Sequence, residues 1–432
     1  MLLSRCISIL KQYTDDSDPQ SVKTVPIKLF DYEIGYLCMR VIALLLHVGI
    51  LSHTKTFGVF LKAVGNSSDS YEVSCALHDI VMELMRKSKD QPNPRDWLLG
   101  ILTSTSGGRM FLRTVGGFIN NDVDFLLNVL WQDRESFLHI CTSRLTPGWG
   151  LVLLLIGEHV QWASESGVQS SNLEQWALLQ NLCFRYSFVA SVDELKHLEV
   201  FCLKAGLYQP DTNDDENDEY FETALVDTMD ARVVLQAYLT RMSATLQVPV
   251  APLPPGLALQ LIGFLRQGIF LDMDDLMPSL IKTSCMWIWD RLDESTHTLP
   301  HPSQDKTLIR YTIRTLGLIG RLYSEYITAP PLIIAPFTKA LAESDFVNLV
   351  GKLVLISLSA GSEISERAVE YPDQSADAVD PDGIARGWIE VTRMALFMSV
   401  SYGTTGKSSN GIVSPFYQDW LKIWRCFDAQ FA

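Results

Sequence analysis

The chain carries no complete signature of a reactive centre. No CxxC, no HExxH and no GxSxG elbow occurs, and no cysteine stands in a recognisable nucleophile context. Charge is also scarce: Asp, Glu, Lys and Arg make up 20% of the chain, below the usual quarter. What charge exists is lopsided, with a net of -15. A field of that sign repels phosphate backbones and anionic lipid, which argues against nucleic acid and against a membrane surface as partners. Period-two alternation is nearly absent too. Leu353–Ser357 and Met398–Tyr402 are the only strand candidates, and each continues a helical pattern. The N-terminus has no charged region ahead of an apolar block, so no signal peptide is expected and the location expected is cytoplasmic or nuclear.

Apolar residues are what the chain has in quantity. Hydrophobic residues reach 47% of 432, enough to bury a large core and exclude global disorder. So little exterior charge leaves apolar surface for a partner or a second copy to cover. The eight cysteines, Cys6, Cys38, Cys75, Cys141, Cys183, Cys202, Cys285 and Cys426, are widely spaced. Most fall inside apolar stretches and read as reduced thiols that pack as small hydrophobes.

The dominant hydrophobic period is 3.6. Asp69/Glu72, Ser171/Glu174 and Ser191/Glu194 each have the spacing of a capping box, and each opens a one-sided apolar stripe. Further helices are expected over 2–13, 30–51, 95–103, 121–131, 149–163, 220–246, 257–266, 278–292, 305–327, 335–343, 384–400 and 417–431. Gly, Pro, Ser and Asn punctuate them at 65–68, 91–94, 146–148 and 253–256. Three polar stretches, 210–219, 295–305 and 362–383, read as exposed loops. The acidic 210–219 segment would divide an N-terminal helical array, 1–209, from a C-terminal one, 220–432, unless the two form one continuous array.

Asp275–Lys282 and Ile333–Lys339 both place a proline in the first turn of an apolar helix, where no intrahelical N–H is lost. In this they resemble the first helix of a HEAT or armadillo-type repeat, though no strict period of about 40 residues runs through the chain. The resemblance implies an architecture and a general habit of binding other proteins, and no site residue is carried over from it. The fold expected is all-α: an irregular α-solenoid of stacked helical hairpins, or else a compact multi-helix domain.

Several segments invite a sharper function. Ile34–Leu51 approaches the length of a membrane span, but Arg40 and His47 interrupt it. An arginine near the centre costs about 2.5–3.5 kcal/mol against about 0.3–0.6 returned by each Leu or Ile, and a core helix explains the run equally well. Asp211, Asn213, Asp215, Glu219 and Glu222 fall at the oxygen-ligand positions of a calcium loop, but Glu216 stands where glycine must make the turn. A solvated acidic loop is the plainer reading. Tyr402–Ser408 has the end of a phosphate loop, yet Ser401 replaces its first glycine. His297 and His301 supply two zinc ligands of four, with Cys285 the nearest further candidate. No metal and no cofactor is therefore expected.

Two features point to partners. Lys306, Arg310, Arg314 and Arg321 share one side of the 305–327 helix, a basic stripe in an acidic protein suited to an acidic segment. Trp420 and Trp424 make the final helix aromatic, and Leu2–Tyr13 is equally without a polar cap. Repeat arrays need polar outer caps, so self-association through an apolar end is expected. Together these favour a non-enzymatic scaffold that presents a helical surface to a protein or peptide. The alternatives are an enzyme whose site draws together distant residues, with His47, His78, His139 and His159 the imidazoles to watch, and then a membrane-associated helical protein.

Overall fold

The computed structural model describes residues 2–15, 30, 33–65, 69–88, 120–142, 148–165, 172–190, 194–195, 227–243, 253, 255–266, 273–297, 308, 311–312, 314–319, 322, 331–346 and 348–352. Among them there are helices and no strands. The chain divides into two compact units, Met1–Ala224 with Val248–Ala251, and Leu225–Gln247 with Pro252–Ala432.

The first unit contains α1 (Leu2–Asp15), α2 (Glu33–His53), α3 (Phe57–Val64), α4 (Ser70–Ser88), α5 (Asn120–Gln132), α6 (Arg134–Thr142), α7 (Trp149–Glu165) and α8 (Asn172–Ser187). α2 is its hub, packing on α1, α3, α4 and α7. Met39, Ile42, Ala43, Leu46 and Ile50 form the buried stripe that does this, at the i, i+3, i+4 spacing of one helical face. The end of α2 is built by a Schellman motif. Thr56 N–H donates to Leu51 O at 3.0 Å and Lys55 N–H to Ser52 O at 3.3 Å, while Lys55 sits at φ 57, a left-handed position usually given to glycine. α3 starts immediately after and ends at Gly65, φ 53.

α4 opens behind Asp69, whose carbonyl accepts from Val73 N–H at 3.0 Å, where the Asp69/Glu72 pattern puts it. α5 and α6 meet at Asp133, which is buried and accepts from Phe30 N–H at 2.6 Å. The first half of α7, Trp149 to Ile156, is apolar all round, and Leu151 to Ile156 are all buried, as a helix segment packed on several sides must be. α7 lies against α2, α5 and α8.

The α2–α7 packing, with the Lys11–Asp122 ion pair at 2.8 Å, joins segments far apart in the chain. A solenoid repeat touches only its neighbours, so the first unit has contacts that a simple stack of hairpins does not. The fold is an all-α, irregularly packed multi-helix arrangement with repeat-like long-range helix contacts.

The second unit contains α9 (Thr228–Met242), α10 (Pro255–Arg266), α11 (Met277–His297) and α12 (Pro331–Glu343), with helical residues between 308 and 322. α9 is N-capped by Asp227, whose carboxylate accepts from Asp230 N–H at 2.9 Å. α9 packs on α10 and α11, and α11 on α12. The core carries a small polar knot: Tyr238 Oη lies 3.1 Å from Ser284 Oγ and 3.0 Å from Tyr311 Oη. Burial pushes both phenols up from their ordinary range, so they stay neutral and share hydrogen bonds. Pro278 lies in the first turn of α11, as expected. Pro336 does not lie in a first turn. α12 begins at Pro331, so Pro336 falls inside the helix. There its ring removes the bond to the carbonyl four residues back.

Candidate functional site

The most concentrated chemistry in the described residues is a buried chain of polar groups in the first unit. α2 supplies His47 from its core-facing stripe, and α4 supplies His78. Glu194 comes from the helical pair 194–195 after α8, and Tyr186 from the last turn of α8. His47, His78 and Glu194 are 2%, 7% and 5% exposed.

Hydrogen-bond bookkeeping fixes most of the protons. His47 Nδ1 lies 2.6 Å from the Ala43 carbonyl, which can only accept, so Nδ1 carries a hydrogen. His47 is neutral: burial, and then the neighbouring His78, lower its pKa to about 4. Its Nε2 is therefore an acceptor. His78 Nδ1, 3.2 Å away, must donate to it. The remaining His78 nitrogen, Nε2, faces Glu194 Oε1 at 3.5 Å. A bare imidazole nitrogen facing a carboxylate would set lone pair against lone pair, so one proton lies between His78 and Glu194.

The carboxylate oxygen also accepts from Tyr186 Oη at 2.8 Å and from Gly150 N–H at 3.2 Å. Gly150 is the second residue of α7, where backbone N–H groups have no intrahelical partner and the helix dipole favours negative charge. Burial, and then Glu194, hold the Tyr186 phenol and the Cys141 thiol well above their ordinary pKa values.

Two glycines make room for this. A Cβ on Gly148 would lie 2.3 Å from His47 Cε1, and a Cβ on Gly150 would lie 2.6 Å from Glu194 Oε1. Gly148 also has φ +102, which side-chain-bearing residues rarely adopt. The network is thus a closed connector tying α2, α4, α7 and the end of α8. Both ring nitrogens of His47 and of His78 are engaged inside it. Among the described residues, no group of three His, Cys, Asp or Glu side chains is arranged to hold a metal ion.

Of the four imidazoles marked in the sequence, the structure brings His47 and His78 together. His139 is exposed on α6, and His159 is buried on α7. Glu194 was expected to reach back to a helix cap, whereas its Oε1 is drawn into the core. Arg314, half-buried, is the member of the basic stripe that falls in the described residues. Lys306, Arg310 and Arg321 lie outside the described residues, as do Asp211, Asn213, Asp215, Glu219, Glu222, Trp420 and Trp424.

The second concentration is on the surface. Among the described residues seven large apolar side chains are exposed, and five of them, Leu37, Leu44, Phe57, Val59 and Leu61, belong to α2 and α3. α3 is the extreme case. Val59 and Leu61 are 57% and 56% exposed, and Phe60 is its one buried side chain. Sequence patterning missed this helix, because an apolar segment of eight residues shows no one-sided stripe. α2 is long and apolar enough to cross a membrane by length and composition, with mean hydropathy 2.1 over Glu33–Ser52, and half of that window is buried inside the protein.

Compared with protein families, curated proteins and solved structures, the chain matches none.

Proposed function

We propose that the chain is a non-catalytic helical scaffold that docks a protein partner through α3 and the adjoining part of α2, in a cytoplasmic or nuclear setting. The observation that carries this reading is α3 itself. It is a helix whose apolar side chains face water at Phe57, Val59 and Leu61. Exposed large apolar side chains grouped on neighbouring elements mark interaction sites, and Phe57 is of the aromatic kind enriched at interfaces.

A photo-cross-linking amino acid at position 59, in cells that express the protein, tests it. Discrete protein adducts are expected from position 59 and not from exposed Thr240 on α9, and Leu61→Asp should suppress them. Adducts at both positions alike, or at neither, would contradict the reading.

The meeting of His47, His78 and Glu194 favours a second reading, an enzyme with a site assembled from distant residues. Acid–base chemistry needs a proton-transferring atom within hydrogen-bond reach of a substrate. Here the imidazole nitrogens are occupied by Ala43, each other and Glu194. The scaffold reading therefore takes the network as structural.

A further inference from the structure

Two of the cysteines meet where α1 packs on α2. Cys6 shares the buried face of α1 with Ile7 and Leu10, and Cys38 shares that of α2 with Met39 and Ile42, at the three- and four-residue spacing of one helix side. The Cys38 thiol is hydrogen-bonded to that of Cys6. α1 is also tied to α5, through the Lys11–Asp122 ion pair at 2.8 Å, so the contact is held from both ends of the chain segment that forms it. Both thiols keep a trace of exposure, 9% for Cys6 and 6% for Cys38, whereas Cys183 and Cys285 have none. A small oxidant thus has a path to this pair that it lacks to those two. Cys75 is more exposed still, so it is the contact between two thiols, and not access alone, that sets Cys6 and Cys38 apart.

We infer that Cys6 and Cys38 are a redox pair, which hydrogen peroxide converts to a disulfide that staples α1 to α2. The inference is independent of the docking reading. Cys6, the more exposed of the two, attacks first. Its thiolate sulfur bonds to one peroxide oxygen, the O–O bond breaks, and the departing hydroxide takes up the proton the thiol had lost and leaves as water. Cys38 Sγ then displaces the hydroxyl from Cys6 Sγ. The S–O bond breaks, and the hydroxide leaves as a second water with the Cys38 proton. Two thiols are oxidised and one peroxide is reduced. Burial, and then Cys6, hold the Cys38 thiol above its ordinary range, which suits it to the second step and not to the first attack. In a reducing compartment a disulfide of this kind is transient and reports the redox state.

The test uses the full chain, fully reduced and then treated with rising doses of hydrogen peroxide. Remaining thiols are alkylated and the protein is digested with trypsin. The expected product joins the peptide Cys6–Lys11 to the peptide Leu29–Arg40, lighter than their sum by two hydrogens, and dithiothreitol should release both. It should form at lower doses than any oxidation of Cys75. Because the staple follows packing already present and closes the chain from residue 6 to residue 38, the linked protein should melt about 5–10 °C above the reduced one. In Cys38→Ser, Cys6 should stop at the sulfenic acid, captured by dimedone.

Failure of the wild type to form the linked peptides, with Cys6 passing on to the sulfinic acid or left unoxidised, would overturn the inference. So would oxidation of Cys75 ahead of the pair, or a linked form that melts below the reduced one. The peptide mapping uses the wild type, and it decides the matter even should Cys38→Ser fold poorly.

Discussion

His47 is a histidine held neutral in a place where a second charge cannot be accommodated. Its pKa is about 4 in the folded protein against an ordinary 6.5, so the unfolded chain takes up the proton first. Its stabilising contribution is complete above about pH 6.5 and is lost as the pH falls toward 4, a span worth about 3 kcal/mol. Asparagine at this position accepts from His78 Nδ1 without titrating. Urea unfolding of the wild type and of His47→Asn should therefore show a stability difference that shrinks by up to about 3 kcal/mol between pH 7 and pH 4. A difference independent of pH would mean that His47 is not the titrating group.

Gly148 is coupled to the same histidine. Gly148→Ala meets both a positive φ and the ring edge at 2.3 Å. It should cost about 3 kcal/mol or more, measured by the same unfolding curves. Gly49, on the solvent side of α2, has nothing within 4 Å of an added Cβ, so Gly49→Ala should stabilise by about 0.5–1 kcal/mol through helix propensity.

At the scale of elements, the turn between α2 and α3 is the place where local preference is overridden. Lys55 holds a left-handed conformation that costs a side-chain-bearing residue about 1–2 kcal/mol. Lys55→Gly should raise the midpoint of urea unfolding by the equivalent of about 0.5–1 kcal/mol, the remainder being lost to glycine's larger unfolded-state entropy. Lys55→Ala, which has the same left-handed penalty, should give no such gain.

The sequence was most legible at this scale. The apolar stripes and caps behind Asp69 and Trp149, and the short spacer before α10, placed α4, α7 and α10 within a few residues, because each is governed by neighbours three or four positions away. α3 and α6 were missed because segments of eight and nine residues carry too few turns to show a period. α12 was misplaced by reading Pro336 as a first-turn proline, when Pro331 already opens the helix. The His47–His78–Glu194 network was not legible either. Its members come from three segments that only packing brings together, and the glutamate fitted a local cap equally well. The one local trace was Gly148-Trp149-Gly150, two small residues at the start of a helix whose other early positions are large.

For the molecule as a whole, the low charge content and net charge of -15 are reconciled by where the apolar and cationic residues lie. Among the described residues, five of the seven exposed large apolar side chains lie on α2 and α3, within the longest stretch of the first half of the chain that has no acidic residue. The buried imidazoles hold that platform together from beneath. Two features of different kind thus lie in different places: the apolar side chains of α3 are exposed, and the His47–His78–Glu194 connector is buried.

Photo-cross-linking from position 59, read beside the melting temperature of the same variants, tests this account most directly. Leu61→Asp should suppress the adducts with melting unchanged, and His47→Asn should melt lower yet cross-link normally at temperatures where it is folded. A His47→Asn protein that is folded but gives no adducts, beside a Leu61→Asp protein that gives them in full, would contradict the account.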